Sequence, residues 1–361
     1  MSAADLAGGR GRAAPGEGRV VDNPSLRRTV WRRLRRDRLA LTAAVFLALL
    51  ILACFAGAPL AARVLGHGPT EYFPQATNYV SSGSFSTLQP VGPWTWVANH
   101  GAGGAATKTG KTLFILGADG PLGHDELLQL LYGGRTTLEI AFGATLFALF
   151  IGIVLGTAAG FFGGRTDLFA SRLSEFVAAF PLLLLVTAIG WTIGARLNGV
   201  TLGVFPQGVL ALIVVLGAFT WPYPARIVRA QVVELRQREF IDAARVIGSG
   251  QWRTIRVHVL PYLAAPLLVY GSLIFAANVV LEAALSALNL GLQLDVPDWG
   301  AMLSQNWGTL IFNNANGGAA TVQATAWTQA FPAIAILLTI VALGLVGESL
   351  RQAINPDPDR R

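Results

Sequence analysis

Six stretches of the chain are apolar over the length a bilayer requires, about 20 residues per helix, and polar segments separate them. The first runs from Leu39 to about Ala61. After a polar interval without a spanning run, "TTLEIAFGATLFALFIGIVLGTAAGFFGG" holds the second, about Thr137 to Phe161. "RLSEFVAAFPLLLLVTAIGWTI" and "FPQGVLALIVVLGAFTWPY" hold the third and fourth, and "YLAAPLLVYGSLIFAANVVLEAALSAL" the fifth. The sixth extends from about Gln329 to Leu350. The pattern predicts an all-α polytopic membrane protein with six transmembrane helices. It divides into an Arg-rich N-terminal segment 1–38, a first helix 39–61, an insertion 62–131, a five-helix core 132–350 and a tail 351–361. "AGAPLAA" near the end of the first run has the small residues of a signal-peptidase site, but the full spanning length argues for an uncleaved helix.

Composition agrees with the pattern. The chain of 361 residues is 53% hydrophobic and only 13% charged, against about a quarter charged in soluble domains. Its net charge of +7 comes almost wholly from arginine, with lysine only at Lys108 and Lys111. The arginines flank apolar runs, so they report topology rather than nucleic-acid binding. With both termini cytoplasmic, the inside segments collect the N-terminal arginines, Arg165, Arg172, Arg226, Arg229, Arg236, Arg238, Arg245, Arg253, Arg256, Arg351, Arg360 and Arg361. The outside segment Asn289–Thr328 holds no Lys or Arg. The expected location is therefore the inner, or plasma, membrane. Cys54 is the single cysteine, which excludes an internal disulfide or a thiolate metal site.

Catalytic patterns are missing. "GAATKTGKT" looks like a phosphate loop, but Ala105 stands where the first glycine belongs, and the topology puts it outside. His67, His100, His124 and His258 are dispersed and read as solvated or capping residues rather than zinc ligands. Glu282 lies about 30 Å along the fifth helix from Pro261 at 1.5 Å per residue, which suggests a rim or structural role at the outer end. Gly152, Gly156 and Gly160 fall on one helix face, where bare backbone permits close approach inside lipid. That face serves either a contact between subunits or packing within one bundle.

One charged interruption remains, "REFIDAARVIGSGQWRTIRVHVLP", on the cytoplasmic side. On a helix over 234–247, Phe240, Ala243, Ala244 and Ile247 share one face. Arg238, Asp242 and Arg245 share another, with Arg238 and Asp242 as an i,i+4 pair. Gly248 supplies a helix stop, Ser249 a cap for a following helix, and Pro261 suits the first turn of the fifth span. Two short helices at a bend result. They either float at the headgroups or present a shallow surface to another protein.

Asp242-Ala243-Ala244, then Gly248, then Leu260-Pro261, resembles the EAA loop of permease subunits of bacterial ABC importers. The segments "LGADGPLGHDELLQLLYGGRTTL", "GFFGGRTD", "FPLLLLV", "LEAALSALNLGL" and "FPAIAILLTIVALGLVGESLRQAINP" are similar to the second permease of the dipeptide, oligopeptide and nickel importers. The departures are Asp242 for the usual Glu, Tyr262 for the common Asn, Gly123-His124-Asp125 for Gly-Arg-Asp, and a longer stretch over Thr70–Lys111. The resemblance implies a type I importer permease fold whose loop 234–261 forms coupling helices. In that arrangement Arg238, Phe240, Asp242, Ala243, Ala244, Arg245, Gly248, Leu260 and Pro261 meet the ATPase. It further implies a homologous second permease, two cytoplasmic ATPase subunits that hold ATP and Mg, and an extracytoplasmic binding protein that delivers a peptide, nickel or another small solute. The chain itself would bind no cofactor and perform no catalysis. An ion-gradient transporter would favour midspan acids and an internal repeat, and a scaffold would use the loop without transport; neither midspan acids nor a repeat is evident.

Overall fold

The computed structural model describes residues 37–82, 85–98, 111–119, 123–181, 208–290, 292, 296–304 and 319–354. Among them, four helices are long and apolar enough to cross a bilayer, with a fifth if a bent pair counts as one span. Residues 182–207, which hold most of the apolar part of the expected third span and the first three residues of the fourth, the arginine-rich segment before Asp37 and the tail after Ile354 lie outside the described residues.

Helix α1 covers Arg38–Leu65. Asp37 caps it by accepting from the amides of Leu39 and Ala40. A π-helical turn at Ala53–Gly57 interrupts it two residues before Pro59. Proline has no amide to give and its ring crowds the carbonyl four residues back, so the preceding turn widens. Three antiparallel hairpins follow. β1 (Thr77–Ser82) pairs with β2 (Phe85–Pro90), β3 (Thr95–Ala98) with β4 (Lys111–Phe114), and β5 (Ala118–Asp119) with β6 (His124–Asp125). They share a small core of Phe73, Ala76, Val91, Val97, Phe114 and Ala118. The His67 ring stacks on Phe114 and meets the Phe73 ring edge-on.

Helix α2 is the long central element, Glu126–Phe162. Its 37 residues make it about 55 Å long, well beyond an apolar core of about 30 Å. It starts eleven residues before the apolar run because Asp125 accepts from the amides of Leu127 and Leu128 and nucleates the first turn early. α3 (Gly164–Ala179) turns away at Gly163. α4 (Val209–Thr220) and α5 (Pro222–Arg236) meet at a 45° bend where Pro222 and Pro224 enter. α6 (Glu239–Val246) is a short separate helix. α7 covers Gln251–Ala287, and α8 spans Ala319–Ile354.

Core clusters tie these helices together. Ile140, Ala144, Leu212, Leu216 and Leu285 join α2, α4 and α7. Ala141, Ala276, Val279 and Leu343 join α2, α7 and α8. The Ser349 hydroxyl donates to Asp37 at 2.6 Å, so the last helix is fastened to the cap of the first, and this bond holds the Asp37 carboxyl below the usual carboxylate range.

Candidate functional site

The three glycines of α2 decide where the charged interruption sits. A Cβ on Gly152 would meet Pro224 and Ala225 at 3.0 Å. On Gly156 it would lie 2.5 Å from the Ala225 carbonyl, and on Gly160 2.8 Å from Val232. Contacts advance in the same direction on both helices, so α2 and α5 run parallel in near backbone contact. The three glycines pack against α5 of the same chain. The end of α5, and the loop after it, therefore lies at the opposite end of the bundle from the hairpins.

A second fastening lies beside this contact. The Arg229 guanidinium grips the Asp167 carboxylate through two nitrogens, Nη2 to Oδ2 at 2.7 Å, joining α5 to α3. Those bonds hold the Asp167 carboxyl below the usual carboxylate range. Sequence reasoning saw "GGRTD" as a family-like segment without finding this partner, because 62 residues separate the two.

At that end the expected single helix over 234–247 is broken. α5 stops at Arg236, and the amides of Gln237 and Arg238 turn back to the carbonyls of Glu234 and Leu235 before α6 begins. Arg238 binds Glu234 at 2.7 Å on the preceding helix. The burial explains the break: Leu235 and Ile241 both enter one core, and two helices can aim both side chains inward where one regular helix cannot.

The inward face of α6 is Ile241 and Ala244. Phe240, Ala243, Val246 and Ile247 face out, with Val246 and Ile247 at 87% and 84% exposed. Asp242 is also exposed, and of Arg245 only the backbone is described. The expected apolar face was Phe240, Ala243, Ala244 and Ile247; Ala244 turns inward from it, and Val246 takes its place on the outside. Gly248 then adopts φ +81°, a conformation that glycine enters without steric cost, and the Ser249 amide closes the helix onto the Ala244 carbonyl.

Beyond the bend, Gly250 rather than Ser249 is the cap position of the next helix. Trp252 is 79% exposed. A π-helical turn at Ile255–Val259 carries the chain into the rest of α7 without a break, and Pro261 follows it by two residues, as Pro59 follows the turn in α1. Leu260 is half-buried against the same core as Ile241, and Pro261 is exposed. His258 is half-buried beside the Phe240 ring at 6.3 Å. An apolar, protruding surface results: Phe240, Val246, Ile247 and Trp252 around a glycine bend, standing on a core of Phe161, Val228, Val232, Leu235, Ile241, Ile255, Val259 and Leu263.

Two buried polar groupings were not foreseen. His67, expected to be solvated or capping, is buried with Nε2 3.1 Å from Asp125 Oδ2 and Nδ1 3.2 Å from the Leu65 carbonyl. Its partner lies 58 residues away, beyond the reach of any local pattern. Glu282 is indeed at the far end of α7, and it is completely buried, accepting from Ser286. The segment 296–304 covers it. Trp299 donates its amide to Thr137 and its ring N–H to the Leu130 carbonyl, and Asp298 accepts from the Ala301 amide. Burial pushes the Asp298 carboxyl up to about 6. Among the described residues no group of three His, Cys, Asp or Glu is placed to hold a metal ion.

Residues 152–360 match the family described as binding-protein-dependent transport system inner membrane component, and residues 25–90 match the N-terminal TM domain of oligopeptide transport permease C. The dipeptide transport system permease protein of Alkalihalophilus pseudofirmus is 34% identical over 65% of this chain and 69% of its own. The oligopeptide transport system permease protein of Haemophilus influenzae is 31% identical over 70% of this chain and 73% of its own. The glutathione transport system permease protein of Pectobacterium atrosepticum is 28% identical over 93% and 94%. Long apolar helices, a glycine-bent apolar protrusion at one end and these matches lead to one assignment: the chain belongs to the binding-protein-dependent transport system inner membrane components, a family of multi-pass membrane permeases.

Proposed function

We propose that this chain is one of two homologous permease subunits of an ATP-driven importer that carries peptides into the cell. Six spans place both termini and the loop 234–261 in the cytoplasm. Two ATPase subunits dock beneath and hold the ATP and Mg, while an extracytoplasmic binding protein delivers the solute. This chain transmits motion and makes no bonds. The dipeptide and oligopeptide permeases among its relatives support the choice of solute. The observation that carries the reading is the bend at Gly248, flanked by Val246, Ile247 and Trp252, three large apolar side chains that nothing in this chain covers among the described residues. Such side chains gain by about 25 cal/mol for each Å² removed from water, so a partner's cleft is their natural place.

In this reading Phe240 and Ala243 extend the docking face, Arg238, Asp242 and Arg245 supply polar contacts, and Ala244, Leu260 and Pro261 set the element on the bundle. A test follows from the space around Gly248. A Cβ there meets nothing within 4 Å, so Gly248→Leu strains only the positive φ, at roughly 1–2 kcal/mol, and adds bulk on the docking side. The variant is expected in the membrane at the parental level, with ATP hydrolysis uncoupled from uptake in reconstituted vesicles. Normal peptide uptake by a properly inserted Gly248→Leu protein would sink the assignment.

A further inference from the structure

We infer that the outward face of the β3–β4 hairpin is a membrane-surface anchor, a stripe of Trp94, Trp96 and Leu113 seated at the headgroup boundary of the bilayer. Strand alternation builds the stripe. Val97, Thr112 and Phe114 point into the hairpin core, which turns Trp96 and its cross-strand partner Leu113 the other way. Trp94, two residues before Trp96, is 72% exposed, and Trp96 is 62% exposed. Two tryptophans this bare in water are out of place on a soluble surface. Their amphipathic rings suit the zone where one side is apolar and the other wet.

The neighbourhood names the occupant. A Cβ on Gly92 would lie 3.7 Å from the Trp327 ring, so the turn before β3 lies beside that ring, and Trp327 begins the described apolar stretch of α8. At 100° per residue, Trp327 lies on the same helix face as Ile334, Leu338, Val341 and Leu345, all exposed. That exposed stripe thus runs up the last helix to the half-buried Trp327, beside which Gly92 leads on to Trp94 and Trp96. Charge fits as well. Over residues 91–98 and 111–115 the only ionisable side chain is Lys111, exposed at the start of β4, where it can meet a lipid phosphate while its stem lies along apolar surface. The turn is also held in an unusual shape: Trp94 has φ +59°, a conformation that non-glycine residues seldom adopt, and it directs a bulky ring outward. The inference rests on α8 crossing a bilayer with this face toward lipid, and it does not depend on the identity of the solute.

The test uses the assembled transporter in vesicles of phosphatidylethanolamine and phosphatidylglycerol whose acyl chains carry bromine near the ester end. Bromine quenches tryptophan only on contact. With nine tryptophans in the chain, the readout is the emission difference between the parent and a W94F/W96F variant, which isolates these two rings. Phenylalanine at two exposed positions leaves the fold intact, and the single variants W94F and W96F divide the signal between the rings. Most of that difference is expected to vanish in brominated vesicles. A difference that survives bromination overturns the inference. So does one that changes only when the binding protein is added, which would make the stripe a protein-docking surface.

Discussion

Asp125 holds two structures with one carboxylate. Its Oδ1 accepts from the first amides of α2, and its Oδ2 faces the buried His67. Replacing it with alanine removes a cap worth about 1 kcal/mol. It also strands a buried polar ring, and a buried polar group left without its partner costs roughly 1–3 kcal/mol. The second effect is larger, so the damage should concentrate in the hairpins rather than in α2. Hydrogen exchange in Asp125→Ala is expected to rise over residues 67–76 and 111–119 while the middle of α2 stays protected; Asp125→Asn, still a good cap, should spare the first turn of α2. Parental exchange over the hairpins in Asp125→Ala would show that the pair contributes little.

Among the elements, the segment 296–304 reads as a polar loop in sequence, yet it lids the outer end of α2 and α7. Gly300 sits against Ala283 so closely that a Cβ would lie 2.3 Å from its carbonyl, and Asp298 is fully buried. The ordinary carboxyl value near 3.8 is raised to about 6 in the folded state. Between those values the closed lid binds more protons than the open one, so its stability falls as pH rises through this window and levels off above it. Exchange protection of residues 299–304 is therefore expected to be greater at pH 5 than at pH 7.5, and Asp298→Asn should flatten that dependence. A pH-independent lid in the parent would contradict the burial argument. Neither the lid nor the hairpins were legible in the sequence. Both depend on partners far apart in the chain, such as Trp299 with Thr137 or His67 with Asp125, whereas the apolar helices are written in local composition. The glycine row of α2 lies between these cases: its spacing gave the face, and only the fold shows that α5 fills it.

At the scale of the whole molecule, the element around Gly248 does not stand on one helix. Its buried residues Ile241, Ile255 and Val259 share a core with Phe161 at the end of α2, with Val228, Val232 and Leu235 of α5, and with Leu263 of α7. A push on the exposed face is thus delivered to three long helices together, and Arg229 extends the linkage to α3 through Asp167. The sequence displayed the exposed side chains and the bend but hid this foundation, because the break at residues 237–238 rotates Ile241 inward against the expected helical face. On the proposed function, Ile241 separates docking from transmission. It is fully buried, so Ile241→Ala leaves Phe240, Val246, Ile247 and Trp252 in place while opening a cavity beneath them, at a cost of about 2–5 kcal/mol. The expected outcome is ATPase subunits that still co-purify with the variant permease, together with a lower ratio of solute carried to ATP hydrolysed in reconstituted vesicles. If the variant keeps both association and the parental ratio, force does not pass through this core. If association is lost instead, Ile241 shapes the docking face itself rather than the path behind it.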